Sequence, residues 1–157
     1  MPQFTPTHLG QWESLFRDLV DGHRMPLTLD GSWMLGEKPG LVAVFDADEP
    51  VYITFAANIS KAIGDFIAGG ASNELRTYVA VTDLGASPKT AAEKARDGRI
   101  GERVTKRLAQ MQYRVAPAPA KLLDALAEAF TIVADPRYNG PTARANRALD
   151  ALPQTST

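Results

Sequence analysis

Residues 39–67, PGLVAVFDADEPVYITFAANISKAIGDFI, constrain the fold more than any other stretch of this chain. Two apolar, β-prone runs, 40–45 and 51–55, are separated by Asp46, Ala47, Asp48, Glu49 and Pro50. Asp and Pro favour a reversal over continued pairing, so the two runs read as a β-hairpin with its turn over 46–50. Asn58 follows, a residue whose side-chain oxygen can cap the first turn of a helix. Ile59, Ala62, Ile63, Phe66 and Ile67 then recur at helical spacing on one face. Gly69 and Gly70 are expected to stop that helix.

The rest of the chain bounds what this unit can belong to. Its 157 residues suit one domain, or a core of about 100 residues with extensions. At 45% hydrophobic and 22% charged it has the composition of a globular domain. No apolar run approaches the ~20 residues that span a bilayer, so no membrane association is expected. The first residues have no basic stretch ahead of an apolar one, unlike a secretory signal. The lack of cysteine rules out disulfides and thiolate metal sites and is compatible with a cytoplasmic location. A net charge of −1 means that any nucleic-acid contact has to come from a local basic patch.

Upstream, Thr5 and Pro6 read as a helix start. Leu9, Trp12, Phe16, Leu19 and Val20 form an apolar stripe over residues 6–21. That stripe is either a packing face or a partner-binding face. His8 and His23 stand apart from any set of carboxylates with ligand spacing. Asp30-Gly31 signals a turn between short extended pieces at 27–29 and 32–35, and Trp33 is expected in the core.

Downstream, residues 71–85 suit either strand or helix. The β-branched run Thr77 to Thr82 suits a strand, while Ser72 or Asn73 as a cap and the spacing of Leu75, Val79 and Leu84 permit a helix. Residues 86–98 read as a surface excursion. Residues 99–111 form an amphipathic helix with Ile100, Val104, Leu108 and Met111 inward. Its other side carries Arg99, Arg103, Lys106 and Arg107, the densest basic patch in the chain. Such a face is either solvated or in contact with phosphates. A strand at 112–116, a helix at 120–134, a turn at 137–141 and a short helix at 142–152 complete the chain, with a disordered tail at 153–157.

Four pieces in this order resemble a GIY-YIG nuclease domain. Gly40-Leu41-Val42 stands at the first motif and Tyr52-Ile53-Thr54 at the second. Leu75-Arg76 resembles a Leu-Arg pair on a helix that follows a Gly-Gly turn in some members, and this resemblance implies a helix over the ambiguous residues. Pro136 to Asn139 resembles the closing proline-x-x-asparagine, after a third strand and a helix. The resemblance covers about residues 38–141. It implies an α+β fold, a small three-stranded antiparallel sheet flanked by helices, over residues 38–152. Residues 1–37 would be a helical extension.

The resemblance also implies a chemistry that this chain has largely lost. Family members cleave phosphodiesters with tyrosines, an arginine and a divalent metal, usually magnesium, on a glutamate. Here the first tyrosine corresponds to Val42 and the helix arginine to Ala62, beside Lys61. The metal glutamate corresponds to Ala127, beside Glu128. Tyr52 and Asn139 are retained. One residue along a helix turns a side chain by about 100°, which would aim Lys61 and Glu128 away from the site.

The expectation is therefore a catalytically degenerate module that binds DNA without cleaving it, through Lys61, Arg76, Arg99, Arg103, Lys106 and Arg107. No metal site and no cofactor are expected. One alternative is a protein-interaction or regulatory module using Trp12 and Phe16 or the old cleft. Another is an active magnesium-dependent endonuclease using Tyr52 and Glu128. No phosphate-cradling glycine loop or nucleophile elbow is present. Asp46 and Asp48 read as solvated turn residues.

Overall fold

The computed structural model describes residues 4–28, 35–68, 73–87 and 98–153. Trp33, the Asp30-Gly31 turn, the Gly69-Gly70 stop, Ser72 and most of the 86–98 excursion lie outside them. The fold is α+β. Four antiparallel strands, β1 (Met25–Pro26), β2 (Gly40–Asp46), β3 (Glu49–Ala56) and β4 (Gln112–Pro117), lie in the order β1-β4-β2-β3. The expected sheet had three strands. The fourth is only two residues long and pairs Met25 with Tyr113 at the margin of β4. Two paired residues leave no periodicity in a sequence, and Pro26 at the sheet margin gives up no ladder donor.

The hairpin is tighter than its sequence suggested. Asp46 pairs with Glu49, so the turn is Ala47-Asp48 alone. Ala47 takes φ 55°, the left-handed conformation that a two-residue reversal demands. Val51 is extruded by a bulge opposite Val44 and Phe45.

Six α-helices flank the sheet among the described residues: α1 (Glu13–Asp21), α2 (Ile59–Ala68), α3 (Glu74–Tyr78), α4 (Gly98–Leu108), α5 (Leu123–Ala134) and α6 (Pro141–Asp150). Residues 6–21 do not form the single helix expected. A 3-10 stretch, Pro6–Trp12, precedes α1, and Gly10 at φ 57° kinks the chain within that stretch. The ambiguous residues 75–84 are helical. Asn73 caps α3, accepting from Arg76 N–H at 3.1 Å. α3 runs on into one π-helical turn, Val79–Asp83, closed by Leu84 N–H on Val79 O. Asn58 caps α2 as expected, accepting from Lys61 N–H at 3.0 Å.

Alternate residues of the strands feed two apolar layers. Val42, Val44, Tyr52 and Tyr113 pack against α2, α3 and α4. Leu41, Ala43, Phe45 and Ile53 pack against α1 and α5. Phe16 of α1 meets Phe130 of α5 edge-to-face at 5.2 Å, and Leu19 is fully buried. The apolar stripe of residues 6–21 is thus used for packing at Phe16 and Leu19. No described helix is long and apolar enough to cross a membrane.

Candidate functional site

β3 is an edge strand, and the segment after α5 runs beside it. Tyr138 N–H donates to Val51 O at 2.8 Å. Asn139 then bonds Ile53 twice: its amide nitrogen donates to Ile53 O at 2.7 Å, and its oxygen accepts from Ile53 N–H at 3.4 Å. The turn that delivers Asn139 is fixed by Asp135, left-handed at φ 48°, whose carboxylate accepts from Thr142 N–H and Oγ1 at 3.0 and 2.6 Å. Asn139 is 6% exposed. Its amide therefore completes the sheet edge as a strand partner would.

Beyond Asn139 the edge opens into a cleft of about 300 Å³. Tyr52, Phe55, Ala127, Thr131 and Asn139 line it, with Glu74, Asp124, Glu128 and Arg144. The last four are exposed. The cleft thus joins three of the positions the resemblance equates with a site, Tyr52, Ala127 and Asn139. Val42 is fully buried in the core layer, and neither it nor Ala62 is among the described lining residues.

Glu128 was expected to point away. It borders the cleft instead, at the mouth, because the cleft lies along the strand edge and takes in a broader arc of α5. Asp124, one turn earlier, borders it too. The deeper wall of α5 is Ala127 and Thr131, whose hydroxyl donates to Ala127 O at 2.6 Å. Among the described residues no three acidic or histidine side chains converge on a metal-ligating geometry.

Tyr52 is 4% exposed, and its ring lies 6.1 Å from Phe66 and 6.0 Å from Tyr78. Tyr78 in turn stacks on Tyr138 at 6.0 Å. Burial pushes the Tyr52 phenol up, and the charge of Glu74 adds to that, against a hydrogen bond with Thr54. The hydroxyl stays protonated at neutral pH and is poorly placed to act as a base.

Two of the six cations expected on phosphates, Arg76 and Arg107, are committed to partners within the fold. Arg76 is 1% exposed. Its guanidinium donates to Phe66 O, Ile67 O, Gly101 O and Thr105 Oγ1 at 2.9–3.1 Å, capping the end of α2 and tying it to α4. It cannot reach a ligand. Arg107 bonds Asp83 at 3.0 Å and also pairs with Asp46. Arg137 bonds Asp46 at 3.0 Å, and Tyr138 Oη donates to Asp83 at 2.6 Å. Asp46 is accordingly a half-buried member of this network, where solvation was expected. Asp48 is the exposed one, paired with Arg24 at 3.3 Å. Lys61 is exposed and bonds Asp65 at 3.0 Å. Arg99, Arg103 and Lys106 remain exposed on α4 and do not line the cleft.

Sequence reasoning missed Glu74, Asp124, Phe55 and Arg144. The four-residue spacing of Asp124 and Glu128 was the one signal present, since it puts both on one helix face. No protein-family model matches the chain, and no curated protein or solved structure matches it at a significant level.

Proposed function

We propose that this chain is a catalytically degenerate GIY-YIG-like module whose cleft binds a segment of another protein. The hairpin, the helix after it, the returning strand and the Pro136–Asn139 closure support the family reading by their order. The observation that carries the function is the charge of the cleft. Among the described residues, Glu74, Asp124 and Glu128 rim it against a single Arg144. Carboxylates repel a phosphodiester. Of the four arginines expected on phosphates, Arg76 and Arg107 are bound internally.

A second reading keeps one specific support. Arg99, Arg103 and Lys106 form an exposed basic face, and three phosphate contacts would give an affinity falling with salt at a slope of about −3. That face lies apart from the cleft.

Incubation of pure protein with plasmid and magnesium or manganese tests the loss of cleavage. The expected result is no nicking above a Glu128→Ala control. Metal-dependent cleavage that the control abolishes would return the chain to the nucleases.

A further inference from the structure

Resting on that reading of the cleft, we infer that the open end of β3 is a strand-addition site for an extended peptide with basic residues at alternate positions. The backbone defines the row of bonding groups. Val51 O takes Tyr138 N–H, and both polar groups of Ile53 are taken by Asn139. The two-residue period of a strand puts Phe55 N–H and C=O next in that outward row. Phe55 sits opposite Leu41 in the β2–β3 register, and no described residue bonds it on the outer side.

Sheet edges are ordinarily blunted by a lysine, a proline or a bulge. Thr54, Phe55 and Ala56 offer none of these, and Phe55 leaves 43% of its surface exposed. An extended peptide pairing with Phe55 would continue what Asn139 begins, with main-chain bonds giving affinity and side chains giving choice.

Charge decides the occupant. A strand added at this edge sends its side chains alternately to the two faces of the sheet. On one face, α5 presents Asp124 and Glu128; on the other, α3 presents Glu74, offset by Arg144 in the cleft wall and by Arg147 over the Tyr78 ring at 4.9 Å. The α5 face is acidic and the α3 face is balanced, so only every second peptide residue meets uncompensated carboxylates. That arrangement selects lysine or arginine at alternate positions over a run of consecutive ones.

The test is an amide-shift and fluorescence titration of the whole chain with a labelled octapeptide bearing Lys or Arg at four alternate positions. Three companions are a neutral octapeptide, the basic peptide with prolines at alternate positions, and a Glu74→Gln, Asp124→Asn, Glu128→Gln variant. The inference expects shifts at Phe55, Glu74 and Glu128, slowed exchange of the Phe55 amide, and affinity reduced about tenfold by the triple variant. The prolines, which lack the N–H, should abolish binding. Equal binding of the proline peptide, or no shift at Phe55, would overturn strand addition. Equal binding of the neutral peptide at Phe55 would overturn the basic preference while sparing the protein-binding reading. Cleft shifts with a DNA duplex and with no peptide would sink both.

Discussion

Asn139 closes the edge of β3 by bonding both polar groups of one residue, Ile53, at 2.7 and 3.4 Å. An asparagine that sequence logic places among catalytic remnants is thus part of the sheet. Asn139→Ala should cost about 2 kcal/mol in urea unfolding, the scale of a lost bond plus unsatisfied buried groups. Asn139→Asp should cost at least as much, because a carboxylate cannot donate to Ile53 O. An unchanged unfolding midpoint in both variants would remove Asn139 from the scaffold.

Arg76 should behave as a core residue. Arg76→Met leaves the carbonyls of Phe66, Ile67 and Gly101 without this donor. Each buried unsatisfied group costs about 1–3 kcal/mol, so a loss of about 3 kcal/mol or more is expected. Lysine keeps the charge but not the planar fork, and Arg76→Lys should fall between. Stability equal to wild type in Arg76→Met would contradict the cap.

Acid should loosen the Asp46 network. The hydrogen bond from Arg107 holds the Asp46 carboxyl below its ordinary value of 3.8, with Arg137 adding to it against the opposing effect of burial. A depressed folded value stabilises above the unfolded value and is lost as pH falls below about 4. Melting temperature followed from neutral to strongly acidic pH should drop there. The drop should be shallower in Asp46→Asn, which starts less stable.

Alkali should act through the tyrosines. Burial is the leading cause that pushes Tyr52, Tyr78, Tyr113 and Tyr138 above the ordinary value of 10. Raised values favour the neutral phenol in the fold, so their stabilisation is complete below pH 10 and fades above it. These are all four tyrosines of the chain. Phenolate absorbance should therefore rise together with loss of circular dichroism. A phenolate signal that appears near pH 10 in folded protein would contradict this burial.

Ala47 carries an avoidable strain at φ 55°. A left-handed alanine costs roughly 1–2 kcal/mol, partly offset by the greater unfolded freedom of glycine. Ala47→Gly should raise stability by about 0.5 kcal/mol in thermal or urea melts, and a loss of stability would place the turn differently.

Local patterns carried the parts of this fold that the sequence exposes. The β2–β3 hairpin, the Asn58 cap and the buried stripe of α4 are all set by residues within a few positions of one another. What was hidden depends on distant partners. Asp46, Asp83, Arg107 and Arg137 meet from four segments, and no spacing announces them. Arg76 read as a surface cation because arginine is rarely fully buried, and only α4 packed against the end of α2 makes a place for it. The cleft was legible at Tyr52 and Asn139. Its acidic rim was not, since Glu74 comes from one side of the sheet and Glu128 from the other.

The central claim is that the cleft repels phosphate. Its most direct test is a titration of the chain with a short DNA duplex at low salt, followed by backbone amide shifts. Phe55, Glu74 and Glu128 should stay in place, with any change confined to Arg99, Arg103 and Lys106 on α4. Shifts at Phe55 and Glu74, with an affinity that falls steeply as salt is raised, would contradict the account.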